Sequence, residues 1–275
     1  MLLGLSVAAI VASGILLLII LFLSTEAWPV FSQVGLLKFA FDEAWYPTEG
    51  AFDLKPMLVA SFAMSMLSIM LAAPLGIASA VFCRFYAPPV VRRAYQWIII
   101  LLAGIPSVVL GLWGLTVIVP LILMLAPPGA SLLAGSLVLA LMIVPTVALT
   151  TQAALASIPQ FYWVGAAALG LSREGTLLGV ALPAVRSSIF AGIMLAMARA
   201  LGETMAVLMV SGNVVQLPTS LFDPVRTLTA NIALEMAYAT GDHRSALFVS
   251  GLALTVLVFI LAWVARRSGG QVVHA

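Results

Sequence analysis

The chain has 275 residues, of which 63% are hydrophobic and 8% charged, with a formal net charge of +2 and a mean hydropathy of +1.20. A soluble domain carries about 25% charged and about 45–50% apolar residues, so soluble globular, disordered and nucleic-acid-binding classes are excluded. Barrel strands would alternate in units of roughly ten residues, whereas the apolar runs here are unbroken, which leaves an all-α polytopic membrane protein read as one transmembrane domain over residues 1–275.

Uncharged stretches set the elements in chain order. Residues 1–25 carry no charge, nor do residues 56–83, 94–172 and 245–265. A helix needs about 20 apolar residues to cross the hydrocarbon, and hydrocarbon offers backbone amides no other partner. The long uncharged run is cut by the turn signal Ala126-Pro127-Pro128-Gly129. Six helical spans follow, roughly 3–25, 57–83, 95–125, 132–152, 187–212 and 245–265, several of them carrying a proline: Pro74, Pro106, Pro120 and Pro145. Residues 1–25 lack a basic n-region, and their apolar run exceeds the usual 7–15 residues of a signal peptide, so they read as a span.

The charges orient these spans by the positive-inside rule. Loop 26–56 holds Glu26, Asp42, Glu43, Glu49 and Asp53 against two lysines, whereas loop 84–94 holds Arg84, Arg92 and Arg93 and no acid. With both termini cytoplasmic, seven arginines and one acid lie inside, and four basic residues and eight acids outside. Residues 26–56 then form a periplasmic insertion and 153–186 a cytoplasmic segment. A seventh span at 153–172 would place Arg266 and Arg267 outside, so that stretch is assigned to the membrane surface. Trp28, Trp45, Trp97 and Trp263 suit the interfacial belt.

Much chemistry is absent. No GxxxxGK[ST] loop accompanies Lys38 or Lys55, so ATP hydrolysis is not expected of this chain. HExxH and GxSxG are missing, and His243 and His274 fall outside the spans. The single cysteine, Cys83, excludes an intrachain disulfide and any multi-thiolate metal site. No catalytic residue, metal or cofactor is expected; transporter, channel and assembly factor remain.

Two features carry information. Arg199 and Glu203 are the only charges well inside an apolar span. Four residues apart, they are expected on one helix face, about 6 Å apart along the axis. Such groups cost about 2.5–3.5 kcal/mol each at mid-membrane, so they pair, face a wet cavity, or both. One reading is an ion pair that locks the fifth span; the other is an arginine lining an anion path, with the glutamate tempering it. The second feature is segment 153–186. An alanine-rich helix running into Gly170 and an amphipathic stretch ending at Leu182-Pro183 are expected to form a two-helix knob, either an interfacial helix or a dock for a soluble, energy-supplying partner.

At this segment the sequence resembles the permease subunits of ATP-binding-cassette importers, with a signature of Glu-Ala-Ala-x-x-x-Gly, nine residues, then Ile-x-Leu-Pro. Gly165, Ala166 and Gly170 fall on its first part, and Val180, Leu182 and Pro183 on its end; Val164 replaces the leading glutamate. Gly104-Ile-Pro-Ser-Val-Val-Leu-Gly-Leu-Trp-Gly-Leu115 and Phe190–Ala206, running on to Gly212-Asn213, are similar to the third and fifth spans of phosphate-specific importer permeases, PstC type. The resemblance implies the type I (MetI-like) permease architecture and an importer of inorganic phosphate. It also implies a second permease, two cytoplasmic ATPase subunits, and a periplasmic phosphate-binding protein. Under it, Arg199 and Glu203 carry over as transport residues, and Gly165, Ala166, Gly170, Leu182 and Pro183 as the ATPase coupling segment. Ser107 and Trp113 are pathway candidates for which helix packing is the competing role. Asp223, Arg226 and Asn231 either meet the binding protein or belong to a solvated outer loop. The alternatives are a permease for sulfate or molybdate, or, from another class, a channel or secondary carrier; secondary carriers often show inverted repeats and paired broken helices, and the sequence shows no such symmetry.

Overall fold

The computed structural model describes residues 2–35, 37–42 and 44–268; Glu43 of the acidic loop and His274 of the tail lie outside the described residues. Five helices are long and apolar enough to cross a membrane, and a sharply bent pair makes a sixth crossing if counted as one span.

Helix α1 (Leu2–Val34) runs well past its expected end at residue 25. It continues because Ala27 and Val30, both fully buried, pack in an apolar cluster at that end of the bundle, and it stops at Gly35, whose φ of +79° no β-substituted residue adopts readily. A short helix α2 (Lys38–Phe41) and a two-stranded hairpin, β1 (Trp45–Tyr46) with β2 (Ala51–Phe52), follow. The strands are antiparallel, with Trp45 opposite Phe52.

Helix α3 (Lys55–Phe85) leads to α4 (Pro89–Gly104) and α5 (Ser107–Leu123), which meet at 94°. The expected continuous span 95–125 is therefore broken. Pro106 has no amide hydrogen and pushes Ile105 out of the helical region (ψ 129°). Helix α6 (Leu132–Ala156) is the most deeply buried crossing. Ser131 caps it, accepting from the Ala134 amide at 3.2 Å. Small residues let its backbone come close to its neighbours: a Cβ at Gly76 of α3 would lie 2.7 Å from Val147 Cβ.

After α7 (Gln160–Ala168) comes α8 (Arg173–Gly202), then α9 (Met205–Val210), α10 (Leu228–Glu235) and α11 (Gly241–Ser268). The expected fifth span, 187–212, is thus two helices with a break at Glu203-Thr204, and α8 begins far earlier than residue 187. In α5 the ladder widens to a π turn at Gly114–Ile118 and in α8 at Leu177–Ala181. Each widening stands immediately before an X-Pro pair, Val119-Pro120 or Leu182-Pro183; a proline cannot complete the α ladder, and its ring crowds the carbonyl four residues back.

Two apolar clusters mark opposite ends of the bundle. One gathers Ala27, Val30, Phe39, Trp45, Phe52, Leu54, Leu228 and Leu247. The other gathers Leu155, Ile158, Leu177 and Val185 with Phe85 and Trp163. Residues 26–56 therefore share an end with the segment after α9, and residues 84–94 share the other with α7, as alternating crossings require.

Candidate functional site

The break after Gly202 decides how the two intramembrane charges are held. Arg199 occupies the last turn of α8, and Glu203 is its extended C-cap (ψ 131°). The two described charges form no salt bridge with one another. The ion-pair reading is therefore overturned, and the helix ends at the second of the two charges. Each charge stands at a helix end. A guanidinium near the C-terminus of α8 and a carboxylate at the start of α9 both oppose the local helix dipole. Glu203 Oε1 accepts from the Ala206 amide at 3.3 Å, and the Glu203 carbonyl accepts from Thr229 Oγ1 at 2.8 Å. An arginine placed before a glutamate is the poorer order for pairing within one helix, yet it is the favourable order across a helix break.

Arg199 is exposed in the isolated chain. Its Nη1 donates to Thr146 Oγ1 on α6 at 3.0 Å. Thr146 stands 14 residues from the start of α6 and 10 from its end, about 21 and 15 Å along the axis, so the guanidinium is held near the middle of the bundle. Thr146 was not singled out by sequence; the signal was a hydroxyl directly after a helix-interior proline, Pro145.

Ser107 opens α5 directly after the bend and is half-buried. A Cβ at Gly111 would lie 2.8 Å from Ala206 Cα, and one at Gly114 would lie 3.1 Å from Val210 Cγ1. Contacts that rise together along both chains mean that α5 and α9 run parallel. Their starts, Ser107 in one and Glu203-Thr204 before the other, consequently lie at the same end of the pair. Gly111 and Gly114 make the close packing; Trp113 is exposed.

A second polar centre lies at the end of the bundle holding residues 26–56. Glu235 is the hub: its Oε1 is 2.6 Å from Arg226 Nη1, and its Oε2 accepts from Trp45 Nε1 at 2.9 Å and sits 2.8 Å from His243 Nε2. Arg226 also donates to the Asn213 carbonyl at 2.9 Å and to Asn231 Oδ1 at 3.2 Å. The network borders an open cleft of about 700 Å³. Arg226 and Asn231 are therefore not in a solvated loop; Asn231 is fully buried. Trp45 leaves the interfacial belt for the same reason, being buried, while Trp28, Trp97 and Trp263 are exposed. Asp223 folds its own loop, accepting from the amides of Thr219 and Ser220 and from Thr219 Oγ1 at 2.7–2.8 Å; these donors hold its carboxyl below the ordinary range.

At the opposite end, α7 closes with the Gly170 amide donating to Ala167 and the Leu171 amide to Ala166, a Schellman ending in which Gly170 takes φ +67°. Ala166 is buried, whereas Gly165, Gly170 and Pro183 are exposed and Leu182 is half-buried. The amphipathic stretch expected to end at Leu182-Pro183 does not end there. Ser172 caps Arg173, with its Oγ accepting from Gly175, and the helix continues through the π turn into the membrane span. The knob is a single short helix and a glycine elbow set on the protruding start of α8. Val180 and the leading position, Val164, lie on these same two elements.

A family model described as "Binding-protein-dependent transport system inner membrane component" matches residues 72–270. A probable ABC transporter permease protein, YqgH of Bacillus subtilis, is 41% identical over 85% of this chain and 77% of its own length. The phosphate transport system permease protein PstC of Mesorhizobium japonicum is 34% identical over 93% and 86%. Among solved structures, a chain of a bacterial ABC transporter involved in the import of alginate has the same fold, with a TM-score of 0.67 at 15% identity over 98% of this chain and 96% of its own. An inward-facing MetNI methionine ABC transporter chain gives 0.60 at 17% identity over 76% and 90%.

Proposed function

Since the chain belongs to the family of binding-protein-dependent transport system inner membrane components, we propose that it is the PstC-type permease of an ATP-driven importer of inorganic phosphate. The observation that carries this reading is the unpaired guanidinium of Arg199, held near mid-bundle by a neutral hydroxyl and otherwise exposed. Phosphate crossing a membrane must shed water, and a fixed arginine fork replaces part of that shell bidentately. Because Thr146 is uncharged, the positive charge stays available to a passing anion. Release matters as much as capture: Glu203, four positions on, keeps a negative charge nearby without neutralising Arg199 by contact. Ser107, at the same end of the α5–α9 pair as Glu203, adds a hydroxyl to the path.

The exposed face of Arg199 is where a second permease closes the path. Two cytoplasmic ATPases supply the work, and a periplasmic binding protein delivers the ion. The ATPase seats against the elbow of Gly165, Ala166 and Gly170 and the start of α8 through Leu182 and Pro183, within the cytoplasmic segment 153–186. Residues 26–56 are the periplasmic insertion, and both termini are cytoplasmic, in the bacterial inner membrane.

The test is radiolabelled phosphate uptake into vesicles holding the complete importer, with sulfate and molybdate as competitors. Arg199→Gln should abolish uptake with assembly intact, and Glu203→Gln should lower turnover more than apparent affinity. Normal uptake by both variants would refute the pathway role. Full competition by sulfate would refute the phosphate assignment.

A further inference from the structure

On the end of the bundle opposite the Glu235 network, α3, α4 and α6 surround a recess of about 280 Å³ whose polar lining includes Arg84, Arg92, Gln96 and Gln152. A second recess of about 310 Å³ shares Arg92 and Gln96 and adds Arg93 at the first turns of α4. No carboxylate lines either recess. Among the described residues none of the three guanidiniums has an ion-pair partner; Glu174, the acid at this end, accepts instead from the Tyr86 hydroxyl at 3.2 Å. The amide nitrogen of Gln152 is buried with no hydrogen-bond acceptor, although buried donors in folded proteins almost always have one. Two positive charges, Arg84 and Arg92, and an orphaned donor line a single space large enough for a tetrahedral oxyanion, and Arg93 adds a third charge in the adjoining recess. Val90, Trp97 and Ile98, on the same helix α4, are exposed and apolar.

We propose that this recess is a binding site for a phosphate-bearing anion, held by the forks of Arg84 and Arg92 and by the amide of Gln152. Arginine matches such groups bidentately, and basic pockets between membrane helices take anionic headgroups. The anion is the headgroup of an acidic lipid or a free phosphate; the chemistry is shared. The site is separate from Arg199, because Gln152 lies six residues beyond Thr146 on α6, about 9 Å along the axis. It stands whether or not the chain transports phosphate.

The experiment follows thermal unfolding of the full chain in a neutral detergent, titrated with sodium phosphate against chloride at matched ionic strength. Parallel titrations use phosphatidylglycerol and phosphatidylcholine. A saturable rise in midpoint with phosphatidylglycerol alone assigns the site to lipid, and a rise with sodium phosphate as well shows that the free anion suffices. Arg92→Gln and Gln152→Leu should each raise the half-saturating concentration at least tenfold, whereas Arg199→Gln should leave it unchanged. If Arg92→Gln does not fold, Arg92→Lys, which keeps the charge but loses the fork, should give a smaller weakening alongside Gln152→Leu. The proposal is overturned by no saturable response to either anion, by an equal response to phosphatidylcholine, by variants that bind like the parent, or by a response lost only in Arg199→Gln.

Discussion

Replacing Thr146 with valine removes one oxygen and leaves the shape of α6 unchanged, so it isolates what that oxygen does for Arg199. A hydrogen bond to a charged group contributes about 1.5–3 kcal/mol. The Arg199–Thr146 bond, at 3.0 Å, is longer than the 2.7–2.9 Å of tight charge-assisted bonds, and Arg199 is exposed, which places it at the lower end. About 1.4 kcal/mol is a factor of ten. Thr146→Val should therefore slow phosphate uptake by roughly tenfold, with the protein still inserted and still co-purifying with its partners. Thr146→Ser keeps the hydroxyl and should remain within about twofold of the parent, a difference of about 0.4 kcal/mol on the same scale. Initial uptake rates in proteoliposomes, normalised to assembled complex, measure both. Equal rates for Thr146→Val and the parent, or equal losses for valine and serine, would show that the hydroxyl does not position the guanidinium.

Other predictions address the remaining parts of the molecule. Glu235→Leu leaves Arg226 buried without its carboxylate and should destabilise the chain by about 3 kcal/mol, the lower part of the range for a broken buried pair, because the Arg226 side chain retains 19% exposure; Trp45→Phe, which removes one donor, should cost only about 1 kcal/mol. Unfolding in detergent reads both, and equal losses would mean that Glu235 is not the hub. Asp223 has a lowered carboxyl pKa, so its contribution is present above the unfolded value of 3.8 and is lost as pH falls through the lower, folded one. Hydrogen exchange of residues 217–224 should accelerate only on acidification below that range, and Asp223→Asn should remove this acid-dependent step. Gly170→Val places a β-branched residue at φ +67°, a region costing L-residues roughly 1–2 kcal/mol; it should impair ATPase co-purification or coupling, while Gly170→Asn, which tolerates that region, should not. Equal behaviour of the two would remove the elbow's backbone from the argument.

The architecture was legible because hydrocarbon leaves few choices. The uncharged runs at 56–83 and 245–265 fall within α3 and α11, and Ala126-Pro127-Pro128-Gly129 does separate α5 from α6. The charge asymmetry grouped the loops correctly by end, because alternating crossings leave only two sets. Hydropathy could not register the breaks at Pro106 and at Glu203-Thr204, since a broken helix has the same apolar composition as a straight one. Leu201-Gly202-Glu203-Thr204 nevertheless holds a helix stop followed by capping residue types, and the order of Arg199 before Glu203 agrees with it. The Glu235 network was not legible: Trp45, Asn213, Arg226, Asn231 and His243 come from segments separated by up to about 200 positions, and no local period links them. Gly170 was legible because its role is confined to the turn it makes.

The widened turn at Leu177–Ala181 alters how α8 is counted. A π turn takes up one residue more than an α turn before the ladder resumes, and one residue corresponds to about 100° around the axis. A helical wheel drawn straight through from Arg173 would aim Arg199 nearly a third of a revolution from the direction it takes. Deleting one residue inside that turn should regularise the helix and at the same time swing the guanidinium away from α6, so the slack in the ladder sets the bearing of the charge some thirty ångströms further on.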